Sequence, residues 1–141
     1  MAAPDVHSFY HEPTGTFTHV VREPGSAAAA IIDPVLDYHS AAARTFTRTA
    51  DEIIDFVRDR GLEIQWILET HAHADHLTAA PHLKQVLGGR IGIGRGISSV
   101  QSTFCEILNL GDDFRSDGSQ FDHLFTDDET FQIGDLEARV I

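Results

Sequence analysis

No stretch of this chain is long and apolar enough to lodge in a bilayer. The most apolar run, residues 27–32, is strand-sized, whereas a spanning helix needs roughly 20 residues. Basic residues are scarce, with 10 Lys and Arg against 22 Asp and Glu, and the net charge is −12. Such a surface repels phosphate backbones, which argues against nucleic acid as a partner. Cysteine occurs once, as Cys105, so no internal disulfide can form and a reducing compartment is expected. No Arg or Lys precedes Arg22, and the first residues lack the basic start and apolar core of a signal peptide. The expectation is a cytoplasmic protein with no membrane contact. What the chain does carry in quantity is histidine, 9 residues in 141, and their placement is the main clue.

The length suits one domain with a real core and is too short for two. Hydrophobic patterning predicts a first strand over residues 17–21 and a second over 27–33, joined by the turn Glu23-Pro24-Gly25-Ser26. Asp33-Pro34 ends the second strand, because proline cannot donate to a ladder. Residues 37–48 read as loop. Thr49 and Glu52 read as a capping box, opening a helix with Ile53, Ile54 and Val57 on one face and Gly61 beyond its end.

Residues 63–69 have the apolar character and length of a buried strand. A second helix is expected over residues 77–87, with Pro81 in its first turn and a stop at Gly88-Gly89. A strand over 90–93 and a helix over 97–108 follow. Residues 121–125 and 130–133 read as a hairpin or two short strands, and 136–141 as a last strand. Alternating strands and helices give an α/β class. The chain stops on an apolar residue in that last strand, so residues 1–141 are expected to form a single, incomplete domain.

The chemistry concentrates in Thr70-His71-Ala72-His73-Ala74-Asp75-His76, at the carboxyl end of the predicted buried strand. That is where α/β folds place their sites. Imidazole nitrogen and carboxylate oxygen are the donors that zinc and non-haem iron favour. On an extended strand end His71 and His73 project to the same side. A turn into the following helix would bring Asp75 and His76 to the same point, and the small Ala72 and Ala74 leave room for ligands. Three histidines and an aspartate at these offsets arise by chance in roughly 0.3% of chains of this composition and length. The competing reading is a histidine-rich loop that caps a helix and binds nothing. The sequence makes His71, His73, Asp75 and His76 candidate metal ligands and Asp75 a candidate catalytic carboxylate. Asp33 and Thr70 are candidate supports for them, Asp33 having capping of the loop after Pro34 as its plain alternative.

Thr-His-x-His-x-Asp-His after an apolar strand resembles the signature of the metallo-β-lactamase superfamily, and residues 30–35 resemble that family's earlier strand with its acidic end. The resemblance implies an αββα sandwich of which this chain supplies the first half and a little more. A finer resemblance is to the persulfide dioxygenase (sulfur dioxygenase) branch, including bacterial β-lactamase-hydrolase-like proteins. It rests on residues 31–37, 67–80 and 117–123. Thiolesterases of the glyoxalase II type differ by a Gly after the Asp-Pro pair, a third His where Ala74 stands, and Gly-Gly in place of Thr78-Ala79.

The dioxygenase resemblance implies mononuclear Fe(II) held by two His and one carboxylate, with His71 matching one of the histidines and the other two ligands lying beyond Ile141. His73, Asp75 and His76 would then orient ligands and water. The implied substrate is a glutathione-derived thiol or persulfide, with homodimerisation as an open option. The hydrolase alternative implies Zn²⁺, one or two ions, with His71 and His73 at one and Asp75 and His76 at a second, for attack on a thioester. A third alternative is a non-catalytic fragment, and the 141 residues alone are expected to be inactive and prone to aggregate.

Other features point elsewhere. Gly92-Ile93-Gly94-Arg95-Gly96 reads as a strand-ending turn, because it lacks the spacing of a phosphate loop. Cys105 reads as a buried structural thiol, His123 as a hydrogen-bonded surface residue, and Trp66 as core beneath the site. His7, His11, His19, His39 and His82 have no spacing that requires metal. Asp127-Asp128-Glu129 reads as a solvated turn.

Overall fold

The computed structural model describes residues 3–141. In chain order it runs β1 (Asp5–His11), β2 (Thr16–Arg22), β3 (Ala28–Ile32), β4 (Val35–His39), β5 (Arg44–Phe46) and α1 (Arg48–Asp59). Then come β6 (Glu63–Leu68), β7 (Leu77–Thr78), α2 (Ala80–Leu87), β8 (Arg90–Gly94) and α3 (Ile97–Leu108). The last strands are β9 (His123–Phe125), β10 (Thr130–Ile133) and β11 (Leu136–Arg139).

One six-stranded sheet, ordered β1-β2-β3-β6-β8-β9, organises the chain. Its first three strands are antiparallel and joined by short turns, whereas β3, β6, β8 and β9 run parallel. Parallel neighbours need crossovers, which α1, α2 and α3 supply in turn. One face of the sheet packs Val20, Ala29, Ile31, Ile67 and Ile91 against Ile53, Ile54 and Val57 of α1 and Leu83 of α2. The other face carries a smaller cluster of Ala30, Trp66 and Phe125 with Ile133 of the β10–β11 hairpin. Trp66 is core as expected, and its indole N–H donates to the Gln132 carbonyl at 3.0 Å.

The α/β class and the 97–108 helix agree with the sequence reading. Several local expectations do not. A strand, β1, precedes the predicted first one; it is an edge strand exposed over Asp5–Ser8 and at Tyr10, with only Phe9 and His11 turned inward, so its apolar signal is weak. The expected loop over 37–48 takes in the end of β4 and all of β5, and Asp37 within it is fully buried. That carboxylate replaces the expected capping box: it accepts from the Thr49 amide and hydroxyl, both at 2.8 Å, at the start of α1. Gly61 does adopt the left-handed conformation after the helix, at φ +60°. The second helix starts at Ala80 rather than residue 77, because Leu77 and Thr78 pair with β4 instead. Of the two readings for 121–125 and 130–133, separate short strands holds and the hairpin does not: the first joins the main sheet beside β8, and the second pairs with β11. Cys105 is half-exposed rather than buried, its thiol 3.8 Å from the Gly111 carbonyl.

Candidate metal centre

Two neighbouring parallel strands end side by side and each is followed by an acid. β3 gives way to Asp33, whose amide donates to the Leu68 carbonyl at 2.9 Å; β6 gives way to Glu69, whose amide donates to the Gly92 carbonyl at 3.0 Å. Asp33 sits at φ +52°, in the left-handed region that aspartate tolerates better than most residues. This turns its carboxylate back across the gap, where it accepts from the Thr70 amide and the Thr70 hydroxyl, both at 2.7 Å. Two β7–β4 pairs, Leu36 with Leu77 and Val35 with Thr78, tie down the far end. Residues 70–76 are thus a short loop fastened at both ends to the chain around Asp33.

The loop gathers its histidines. Ring centroids of His71 and His73 are 4.2 Å apart, and those of His73 and His76 4.1 Å apart. Donor atoms of Asp33, His71 and His73 lie within 4.8 Å of one another, as do those of His73, Asp75 and His76. His73 belongs to both groups. The expected same-side projection of His71 and His73 is realised, although β6 has already ended and the loop, not an extended strand, delivers it.

Hydrogen-bond bookkeeping fixes which nitrogen of each ring is free. Thr70 spends its hydroxyl proton on Asp33, so at 2.8 Å it accepts from His71 Nδ1–H, and Nε2 of His71 is left bare. His73 Nε2–H is shared between Asp33 Oδ1 at 3.0 Å and Glu69 Oε2 at 3.1 Å, leaving Nδ1, which lies 3.9 Å from Asp75 Oδ1. His76 Nδ1–H donates to Asp75 Oδ2 at 3.1 Å. Its Nε2 is buried without any partner, on a side chain only 1% exposed. An orphaned imidazole nitrogen costs about 1–3 kcal/mol unless something fills the position. A cation beside imidazole and carboxylate donors satisfies it, and this donor set is the one zinc and non-haem iron select.

Electrostatics divide the loop. Burial pushes the Glu69 carboxyl up to about 7, partly opposed by the hydrogen bond it accepts from Thr78 and reinforced by nearby Asp33. Burial also lowers the basicity of His73, with Asp33 pulling the other way. A neutral imidazole is the form that binds metal. Asp75 is held well below the usual carboxylate range, first by the Thr16 hydroxyl, which donates to Oδ2 at 2.7 Å, and then by His76.

Two clefts flank the loop. One, about 630 Å³, lies between His11, Pro13, Leu36 and Tyr38 on one side and residues 73–77 on the other. A second, about 320 Å³, is lined by Leu68, Glu69, Thr70, Phe125 and Val140. All six residues singled out from the sequence, Asp33, Thr70, His71, His73, Asp75 and His76, therefore meet in one place. Sequence reasoning missed Glu69, Thr78 and Thr16. Glu69 closes an apolar run immediately before the motif, a signal that was present; Thr16 lies 59 residues from Asp75 and gave none. His123 bonds Glu129 at 2.6 Å and packs on Trp66, away from the loop. Glu129 also accepts from the Thr126 amide, so the expected solvated turn is internally braced.

Known proteins resemble this chain in sequence and fold. The family described as the metallo-beta-lactamase superfamily matches residues 11–135. A beta-lactamase hydrolase-like protein of Agrobacterium fabrum is 44% identical over 140 residues, spanning 99% of this chain and 32% of that protein. Glyoxylase B2 of Dictyostelium discoideum is 51% identical over 113 residues, 79% of this chain and 39% of that one. The human mitochondrial persulfide dioxygenase ETHE1 is 30% identical over 87 residues, 62% of this chain and 30% of the enzyme. Among solved structures, ETHE1 from Myxococcus xanthus superimposes with a TM-score of 0.65 at 18% identity, over 94% of this chain and 45% of that one. The chain spans about a third of the length of these curated relatives.

Proposed function

The chain belongs to the metallo-β-lactamase superfamily, and on that premise we propose that it provides the metal-binding loop of a persulfide dioxygenase, an enzyme oxidising glutathione persulfide to sulfite at a non-haem iron. The observation that carries the metal reading is the buried, partnerless Nε2 of His76, on a ring 4.1 Å from that of His73 and hydrogen-bonded through Nδ1 to Asp75. The choice of dioxygenase rests on the segment from Ile67 through the motif to Ala80, with Ala74 and Thr78-Ala79, and on the likeness to persulfide dioxygenases. In this proposal residues 1–141 are a single unit of a longer αββα domain, working in the cytoplasm on a glutathione-derived substrate.

His71 offers Nε2 as an iron ligand, and bound Fe(II) would supply the redox chemistry that joins substrate sulfur to oxygen. Asp33 and Glu69 hold the His73 ring by its Nε2–H, leaving Nδ1 on the side of Asp75, 3.9 Å from its Oδ1. Asp75, whose carboxyl Thr16 and then His76 hold low, orients His76 and serves as the ionised carboxylate that positions a proton donor at its Oδ atoms. Leu36, Pro13 and Tyr38 wall the larger cleft, which has room for a small thiol.

A second reading is supported by the division of donors into two groups that share His73, and by the 51% identity to a protein named as a glyoxylase. Here the loop serves a zinc-dependent thioester hydrolase. Metal analysis and turnover of the full-length protein separate the two. One iron per chain with O₂ uptake on glutathione persulfide supports the dioxygenase; two zinc per chain with thioester cleavage and no O₂ uptake overturns it.

A further inference from the structure

His11, the last residue of β1, is a buried imidazole that the metal loop does not use. It is 6% exposed, and both ring nitrogens face polar groups. Nδ1 lies 2.7 Å from the Thr14 hydroxyl, and Nε2 lies 3.4 Å from Asp37 Oδ1. Asp37 is 1% exposed, and its two oxygens are held by the amide and the hydroxyl of Thr49, each at 2.8 Å. A carboxylate only accepts, so the nitrogen turned toward Asp37 carries the ring proton. Nδ1 is then bare in the neutral ring, and the Thr14 hydroxyl donates to it. Neither partner needs the imidazole. Each Asp37 oxygen already has a donor, and half-buried Thr14 borders the larger cleft.

We propose that Thr14, His11 and Asp37 form a second site, separate from the metal ligands, in which Thr14 is a nucleophile toward thioesters and activated esters of small carboxylic acids. A hydroxyl bonded to an imidazole, itself steadied by a buried acid, is the arrangement that activates a hydroxyl. The turn presets it. The amides of Thr14 and Gly15 donate to the His11 carbonyl at 3.3 and 2.9 Å, closing the chain on the histidine itself. Gly15 stands at φ +69°, and nothing lies within 4 Å of the place a side chain would take, so the turn is open beside Thr14. Leu36, Tyr38 and Leu77 of the same cleft supply an apolar wall for a short acyl chain.

The step balances with the chain's own groups and water. Thr14 Oγ attacks the acyl carbon while its proton passes to His11 Nδ1, and Asp37 stabilises the resulting imidazolium. The carbon–sulfur or carbon–oxygen bond breaks, and the thiol or alcohol leaves with that proton. Water then attacks the acyl-threonine, and its proton returns through His11 to Thr14 Oγ as the carboxylic acid departs. The Thr14 and Gly15 amides are committed to the His11 carbonyl and give nothing to the oxyanion. Base catalysis without that stabilisation favours acylation followed by slow release. No metal ligand takes part, so this inference stands or falls apart from the function proposed above.

The test is reaction of the full chain with p-nitrophenyl acetate in excess chelator, followed by p-nitrophenolate release and by peptide mass. One equivalent should be released ahead of a slow steady phase, leaving a single acetyl group on Thr14. His11→Gln should slow acetylation about 100-fold, as expected for loss of one general base. Thr14→Val should abolish it, and Thr14→Ser should match or exceed wild type, both with an unchanged far-ultraviolet spectrum. Acetyl found only on the N-terminal amine, Lys84 or the tyrosines overturns the proposal. So does a Thr14→Val chain that reacts like wild type, or a rate indifferent to His11→Gln.

Discussion

The two ends of the 70–76 loop hold their histidines by opposite means. At the inner end His73 is gripped by Asp33 and by Glu69, a carboxylate so deeply buried that its proton is held to about neutrality. At the outer end His76 leans on Asp75, an acid 47% exposed whose carboxyl is held low chiefly by one hydroxyl reaching in from β2 and then by His76 itself. The inner end is set by strand termini that the sheet itself fixes. The outer end depends on the hairpin between β1 and β2 staying in place. A preorganised half and an adjustable half of one loop suit a centre that holds its ion firmly while admitting substrate beside it.

The largest expected effect comes from His73, shared by both donor groups. His73→Ala should lower metal affinity of the chain by more than about 100-fold, beyond the range of residues that merely support ligands. Chelator competition measures it; a loss below tenfold would mean that His73 lies outside the centre.

Glu69→Gln sharpens the inner half. The Glu69 carboxyl is raised from its ordinary 4.5 to about 7, so the folded, metal-free chain holds a proton there that the unfolded chain releases. Its contribution is therefore present below about pH 4.5 and fades as pH rises through about 7. The amide variant lacks this slope and should gain on the order of 2–3 kcal/mol relative to wild type at neutral pH. Urea unfolding of both chains at pH 5 and pH 7.5 checks the sign.

Thr16→Val sharpens the outer half with a smaller effect. Loss of the hydroxyl frees Asp75, and metal affinity should fall about tenfold, with Thr16→Ser restoring it. Melting of the metal-free chain should barely move, because Asp75 is exposed. The smallest effect belongs to the same pair under acid: the Thr16 hydroxyl is the largest of the contacts that hold the Asp75 carboxyl low, ahead of His76, so the metal-free valine variant should take up that proton at higher pH than wild type, visible in the Asp75 carboxyl carbon resonance.

These contrasts also show what the sequence could and could not carry. The motif was legible because its donors are consecutive and follow an apolar strand. α3 was legible in its full extent, although most of its apolar residues face solvent and not the core. β1 hid because an edge strand needs no alternation, and β4 hid because its buried centre is the polar Asp37. Asp33 was legible as an acid at a strand end, but its three hydrogen bonds depend on a left-handed backbone that residue identity does not announce. Thr16 reaches Asp75 only through the sheet, so no local pattern marks it.

The measurement nearest the central claim is imidazole ¹⁵N spectroscopy of the full chain during titration with Zn²⁺. Coordination at Nε2 of His71, Nδ1 of His73 and Nε2 of His76 should shift those three resonances together, with His7, His19 and His39 unmoved. Saturation that leaves the three unchanged, or that moves histidines outside residues 71–76 instead, would contradict it.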